Sequence, residues 1–320
     1  MIQVNKRAMP RVSELIEDAD ALKVKVHQIA GSTVIDAGVE ATGSYHAAKL
    51  ITEILQGCTN DVSYSIFPER IGNMYFDAVH VHSTHVVIEQ AGCNISGWEL
   101  RPGKFAPVLA GPGRCVARKD GDWLSSYCDY SDDSDIAILT VEQGQMMSEE
   151  DVKDLQEATG VAKEKLFIIV AASGSIVCSV QVAGRILEQT LHRLKEESFP
   201  LESIQEAHGF CVIPPVVKDD LLAMGRLNDV LLYGGQSTFT VDTEDSEIEK
   251  VINKITSDKS AVYGEMFEEI YARHGYDFYQ VPMDIYSPAK VAIINQRTGR
   301  TFQAGEFNIP ILKKSFFTGK

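Results

Sequence analysis

The first residues in this chain with obvious chemical potential are the histidines His80, His82 and His85. Alternate residues of a strand point to one face, so His80 and His82 would share a face and could hold a metal ion. A metal-dependent hydrolase would need a further histidine and a carboxylate. His208 and Asp229 are candidates, but no spacing ties them to the triplet. A half-exposed strand face beside a polar cleft explains the triplet equally well, so both interpretations stay open.

A second candidate set lies on a long helix predicted over residues 175–197. One face of this helix is an apolar stripe, and the opposite face carries a polar row spaced four, three and four residues apart: Gln181, Arg185, Glu188 and His192. As a solvated surface, the row needs no function. However, the helix follows a strongly apolar strand and the small polar turn at Ser173 and Ser175. Helix N-termini after strands offer N–H groups without helical acceptors and are common binding sites.

A third feature is the glycine-rich turn formed by Gly111, Gly113 and Arg114. It is either a tight turn, which glycine and proline favour, or a backbone segment that approaches a ligand beside a cation. The chain contains no nucleotide-binding glycine motif of either common type and no G-x-S-x-G nucleophile elbow.

Hydrophobic periodicity indicates the elements that must position these residues. Strands are predicted over 61–67, 75–82, 135–141, 165–172, 210–213 and 230–233, and helices over 45–55, 148–159, 175–197 and 259–274. Alternating strands and helices predict an α+β fold with layers around a sheet. A polar change of composition places a soft boundary that separates an N-terminal α+β domain (1–140) from a C-terminal α+β domain (141–320). The turn at Arg297 and Gly299 predicts a hairpin over 290–304, which could pack on either domain.

Composition narrows the function classes. At about 150 residues per domain, 320 residues predict two domains, and 44% hydrophobic with 23% charged residues is typical of globular proteins. A formal net charge of -15 disfavours a nucleic-acid partner. No apolar run reaches the ~20 residues of a membrane span, and the N-terminus lacks a signal-peptide core, which predicts a cytoplasmic protein without a membrane partner. The six cysteines form no C-x-x-C pair and are expected to be free thiols.

Seven segments, taken in order, make the chain resemble the methenyltetrahydromethanopterin cyclohydrolase family. They lie at residues 34–40, 110–114, 172–188, 224–229, 232–235, 276–279 and 287–290. The resemblance implies reversible hydrolysis of the cyclic methenyl amidinium cation of tetrahydromethanopterin to the 5-formyl derivative, without metal or added cofactor. It also implies homotrimers whose subunits have two α+β domains with the substrate pocket between them.

The resemblance implies that the catalytic residues are Arg185 and Glu188. Glu188 would orient and deprotonate the attacking water, and Arg185 would hydrogen-bond the developing oxygen and keep Glu188 ionised. The density of family motifs suggests further substrate-binding positions: Ser173, Ser175, Gln181, Gly111, Gly113, Arg114, Asn228 and Asp229. Two alternatives remain: a metal-dependent amidohydrolase-like enzyme that uses His80, His82 and His85, and a non-catalytic pterin-binding protein.

Overall fold

The structure, a computed structural model, describes residues 2–95, 108–117, 126–277 and 280–317. The chain divides into two compact units. Unit 1 comprises Met1–Asp61 and Val87–Gln181, and unit 2 comprises Val62–Val86 and Val182–Lys320. Each unit is built around its own mixed β-sheet, which confirms the predicted two-domain α+β class.

Unit 1 is built on a five-stranded sheet. Its strands are β1 (Lys25–Ile29), β2 (Ser32–Gly38), β5 (Val108–Ala110), β6 (Ala137–Glu142) and β7 (Leu166–Ala171). Their order is β1-β2-β7-β6-β5; the central three strands run parallel, and the edge strands are antiparallel to their neighbours. Ile138 and Leu139 on β6 point to opposite faces and are both buried, as expected for parallel strands covered on both sides.

Six helices accompany this sheet within the described part of unit 1. They are α1 (Val4–Glu17), α2 (Ala19–Leu22), α3 (Tyr45–Leu55), α4 (Gly113–Val116), α5 (Glu149–Thr159) and α6 (Ile176–Ala183), the last of which ends just inside unit 2. Helix α5 packs Val152 and Leu155 against Leu139 and Ile168, and a capping box of Ser148 with Asp151 opens it. A π-helical segment, Val87–Asn94, precedes the residues outside the described range.

Unit 2 is built on a six-stranded sheet. Its strands are β3 (Asn60–Ile66), β4 (Asp77–Ser83), β8 (Ile204–Val212), β9 (Gly235–Val241), β10 (Lys290–Asn295) and β11 (Thr301–Gly305). Their order is β11-β10-β9-β8-β4-β3, with β9 and β10 parallel. Burial alternates along β9, so one face of the sheet is buried and the other is partly exposed. The predicted C-terminal hairpin is confirmed, and it belongs to this sheet.

The remaining helices belong to unit 2: α7 (Ile186–Glu196), α8 (Asp220–Gly234), α9 (Asp245–Val251), α10 (Phe267–Arg273) and α11 (Ile309–Phe317). Helices α7 and α8 pack on β8 and β9, and α8 also packs against α10 and α11. Within the described ranges, no helix is long and apolar enough to cross a membrane.

Several predictions differ from the structure. The observed units do not follow the predicted division at residues 140/141, which falls inside β6, a strand that pairs with β7 on one side and β5 on the other. The predicted strand 230–233 lies within helix α8, since a four-residue apolar run fits a buried helix as well as a strand. The predicted helix 259–274 is reduced to α10 after a series of turns. The aspartate-rich segment 120–135 is also predicted to be a surface connection, and its residues 120–125 lie outside the described residues.

The predicted long helix over 175–197 is two helices, α6 and α7, separated at Gly184 and Arg185. The Arg185 N–H donates to the Val182 carbonyl three residues earlier, which tightens the turn where glycine weakens the helix. The interruption lies close to the division between the two units. The predicted polar row is therefore split: Gln181 lies on α6, while Glu188 and His192 lie on α7.

Candidate active site

In unit 2, the first turn of α7 carries the two residues predicted to be catalytic. Arg185 is the N-cap residue and is 7% exposed, and the half-buried Glu188 lies in the first turn. The positive end of the helix dipole favours a negative charge at that position. The structure therefore brings a guanidinium and a carboxylate to one helix start, where developing charge can be stabilised.

Two glycines allow this helix start to approach the sheet closely. A Cβ at Gly209 on β8 would lie 2.6 Å from Ile186 Cγ2 and 2.9 Å from Leu187 Cγ. A Cβ at Gly235 on β9 would overlap the end of the Ile186 side chain and lie 3.0 Å from the Leu231 carbonyl oxygen. No side chain fits between the sheet and the first turn of α7, so these glycines fix the height of Arg185 and Glu188 above the strands. Neither glycine was predicted from the sequence as a site residue.

In unit 1, polar side chains gather where the parallel strands β6 and β7 end. The Ser173 hydroxyl donates to Glu142 Oε1 at 2.7 Å, and the Gln181 amide donates to Glu142 Oε2 at 3.5 Å. Ser175 has a structural task, because its hydroxyl oxygen accepts from the Cys178 N–H and caps α6. Ligand sites in open α/β sheets lie at such carboxyl ends. Glu142 was not predicted, although a carboxylate directly after a buried strand was the available signal.

The loop beside this cluster is held by the buried carboxylate of Asp36, whose role was not predicted from the sequence. Asp36 Oδ1 accepts from the N–H groups of Gly38 and Val39, and Oδ2 from Glu40 and Ala41, all at 2.8–3.0 Å. Burial acts to raise the pKa of Asp36, but the four backbone donors together lower it below its usual value. The ionised carboxylate therefore fixes the loop that follows β2.

The glycine-rich turn packs against β6, away from the Glu142 cluster. Cβ atoms at Gly111 and Gly113 would each lie 2.9 Å from the Ile138 carbonyl oxygen, and Gly111 has a φ of +108°. The Arg114 side chain is 1% exposed and donates to the Ile95 carbonyl. Because β5 and β6 are antiparallel, this turn lies toward the start of β6, whereas Glu142 lies at its end. In the structure, the predicted binding residues Gly111, Gly113 and Arg114 therefore make packing contacts.

Helix α8 carries the last two predicted positions. The half-buried Asn228 donates to the Met224 carbonyl within the helix. Asp229 is 2% exposed and accepts from the Phe267 N–H at 2.7 Å, at the start of α10. Burial raises the pKa of Asp229 to about 7, against weaker lowering by its hydrogen bonds. Asp229 therefore joins two helices inside unit 2.

The histidines are arranged differently from the predicted triplet. His80 and His82 share a face of β4, and His208 on β8 lies opposite His82, while His85 follows the strand. The rings of His82 and His208 stack with centroids 4.3 Å apart. In the part of the chain that the structure describes, no group of three or more His, Cys, Asp or Glu side chains is arranged to hold a metal ion.

Comparison with known proteins identifies the family. The sequence model of the family described as Cyclohydrolase (MCH) matches residues 3–316. Among curated proteins, the chain is 32% identical over 318 residues to a methenyltetrahydromethanopterin cyclohydrolase of Methanocaldococcus jannaschii, covering 98% of each chain. It is 34% identical over 319 residues to the protein of that name from Methanothermobacter thermautotrophicus, covering 99% of each. The chain belongs to the MCH cyclohydrolase family.

Proposed function

We propose that this protein is a methenyltetrahydromethanopterin cyclohydrolase. It opens the cyclic methenyl amidinium of 5,10-methenyltetrahydromethanopterin with water, reversibly, to give 5-formyltetrahydromethanopterin in one-carbon metabolism. Family membership over almost the whole chain and the shared name of the curated relatives support this activity. The observation in the structure that carries the proposal is that Arg185 and Glu188 both lie at the start of α7.

The reaction needs a base and a group that stabilises developing negative charge. Water attacks an electrophilic carbon held between two nitrogens, which gives a tetrahedral carbinolamine that then expels one nitrogen. Glu188 orients the water and accepts its proton, and its negative charge favours the bound cation. Arg185 hydrogen-bonds the oxygen as charge develops. The guanidinium would repel the cationic substrate, so its partner carboxylate is needed to offset that cost.

Substrate binding is proposed for Ser173, Gln181 and Asn228, whose side chains carry hydrogen-bonding groups. Ser173 and Gln181 share the carboxylate of Glu142, which adds a negative group suited to a cation or to the N–H groups of a pterin. Asn228 is half-buried and keeps its amide oxygen as an acceptor. The roles of Ser175, Gly111, Gly113, Arg114 and Asp229 in binding are indirect, through the backbone that they hold.

The resemblance to the family also supports three finer proposals. The enzyme works without a metal or an added cofactor, it assembles as a homotrimer, and it acts in the cytoplasm on a free pterin. Size-exclusion chromatography with light scattering tests the assembly, with a mass near three times 35.3 kDa expected.

The activity test follows the loss of the amidinium chromophore when purified protein is mixed with methenyltetrahydromethanopterin, with and without a strong chelator. We expect fast loss that the chelator does not change. Glu188→Gln should lower kcat by about 10²–10⁴-fold, the usual contribution of a general base. Arg185→Lys should also lower kcat, because lysine keeps the charge but loses the planar fork of donors.

The matched control is Glu196→Gln on the same helix, which removes the same charge from a residue that pairs with Arg193. It should leave kcat within about twofold of wild type, the scale expected of a surface position. Loss abolished by the chelator would favour the metal-dependent alternative. Binding of the pterin without hydrolysis would favour the non-catalytic alternative, and wild-type turnover in Glu188→Gln would overturn the catalytic assignment.

A further inference from the structure

A hydrogen-bonded chain of three side chains lies on the partly exposed face of the unit 2 sheet, apart from the residues proposed for cyclohydrolase chemistry. Ser65 Oγ lies 2.6 Å from His80 Nε2, and His80 Nδ1 lies 3.0 Å from His208 Nε2. The three residues come from the neighbouring strands β3, β4 and β8. This is the order of groups in a hydrolytic triad: a hydroxyl, an imidazole that can take its proton, and a group that orients the imidazole.

We propose that Ser65, His80 and His208 form a second reactive site, a serine nucleophile with a histidine base that accepts acyl groups from small activated esters. Ser65 is exposed, so its hydroxyl could be satisfied by water and burial does not force its contact with His80. The rings of His80 and His208 are only 10° from parallel, which holds the two nitrogens in line.

The electrostatic surroundings keep the imidazoles neutral. Burial, with a smaller contribution from His82, lowers the pKa of His80. Burial followed by the neighbouring histidines lowers the pKa of His208 to about 4. At neutral pH, His208 Nε2 can therefore accept the Nδ1–H of His80, which leaves His80 Nε2 free to accept the proton of the serine. His208 acts on the tautomer and orientation of His80 and is a positioning residue.

Two further features suit an ester. The ring centroid of Phe210 lies 4.7 Å from that of His80 and 6.4 Å from that of Phe307, so half-buried aromatic surface adjoins the histidine base and can contact an aryl or short acyl group. The Phe67 N–H donates across to Phe76. Alternate N–H groups of a strand point to opposite sides, so we infer that the Ile66 N–H faces the sheet edge and can donate to the oxyanion.

The step balances without a co-reactant other than water. Ser65 Oγ bonds to the ester carbonyl carbon, its proton passes to His80 Nε2, and the alcohol leaves with that proton. Water then attacks the acyl-serine, His80 takes a proton from the water, and the carboxylic acid is released as Ser65 regains its hydrogen. With a fluorophosphonate, the Oγ–P bond forms, the P–F bond breaks, and HF is the product.

The test uses the full chain, p-nitrophenyl acetate turnover, and fluorophosphonate labelling located by peptide mass spectrometry. We expect labelling at Ser65 and at least a tenfold loss of esterase rate in Ser65→Ala. Ser63→Ala, an exposed serine two residues earlier on the same strand, is the matched control and should keep both properties. Cyclohydrolase turnover should be unchanged in both variants, which separates this proposal from the main activity.

The role of His208 is tested by rescue. His208→Ala should reduce labelling of Ser65, and His208→Asn should restore part of it, since an amide oxygen can accept the Nδ1–H of His80. If the role of His208 were purely structural, His208→Ala and His208→Asn would show the same rate of Ser65 labelling when their folded fractions are equal. Labelling of wild type no greater than that of Ser65→Ala, labelling at another residue, or full esterase rate in Ser65→Ala would each overturn the proposal.

Discussion

The substitution Gly209→Ala tests whether the close approach of α7 to the sheet positions the catalytic pair. The added methyl group would lie 2.6 Å from Ile186 Cγ2 and 2.9 Å from Leu187 Cγ. Ile186 and Leu187 are 1% and 0% exposed, and neither atom is the free end of a long side chain, so they cannot swing away. The first turn of α7 must move instead, together with Arg185 and Glu188.

The size of the effect follows from the overlap. Carbon atoms prefer separations of about 3.5–4.0 Å, so the helix start must rise by roughly 1 Å. Overpacking of this kind costs about 1–3 kcal/mol of unfolding free energy. A misplacement of about 1 Å at catalytic groups lowers kcat/KM by roughly 10²-fold. We expect the larger part of the kinetic loss in kcat, because the base and the oxyanion donor act mainly in the transition state.

The assay combines urea unfolding with cyclohydrolase kinetics at a temperature where both proteins are folded. The control is Gly299→Ala in the C-terminal hairpin, where φ is +72° and no atom lies within 4 Å of an added Cβ. Backbone strain there should cost about 1 kcal/mol without moving α7. A Gly209→Ala variant with kcat/KM within twofold of wild type, or an equal kinetic loss in Gly299→Ala, would refute the positioning argument.

Three further predictions concern the carboxylates of Asp229, Asp36 and Glu142. Because the pKa of Asp229 is raised to about 7, the folded protein keeps a proton that the unfolded chain releases, and the stability that this proton contributes, up to roughly 4 kcal/mol, is lost as pH rises from about 4 to 7. Urea unfolding should therefore show Asp229→Asn gaining stability over wild type between pH 5 and pH 8. A difference between the two proteins that does not change with pH would contradict this. Asp36 has a lowered pKa, so its contribution to the free energy of unfolding is present above the pKa of the unfolded chain and is lost as pH falls through the pKa of the folded protein. Asp36→Asn should lower the free energy of unfolding by about 1–3 kcal/mol at pH 7, measured by thermal or urea unfolding. A loss that does not shrink in acid would be inconsistent with an ionised carboxylate. Glu142→Gln keeps an acceptor for Ser173 but removes the charge, so KM should rise by about tenfold with kcat changed less, and an unchanged KM would exclude Glu142 from substrate binding.

Local patterns in the sequence were sufficient for several elements of unit 1, among them α3, β6, α5 and β7. Strands with long apolar runs, such as β6 and β7, carry their own signal because both faces are buried. The turn at Gly299 is local chemistry, and the hairpin around it was predicted within a residue or two. The strand predicted over residues 230–233 was wrong, because an apolar run of four residues cannot distinguish a strand from a buried helix turn.

The sequence by itself determined the family and the catalytic pair proposed here, because residue types in a fixed order are sequence properties. Only the tertiary structure decided which elements hold those residues in position. The break at Gly184 places Arg185 at a helix start, and Gly209 and Gly235 seat that start on the sheet. Contacts between residues distant in the chain, such as Ser173 with Glu142 or Ser65 with His80 and His208, have no local pattern. They exist only because strand pairing brings separate segments within hydrogen-bonding distance.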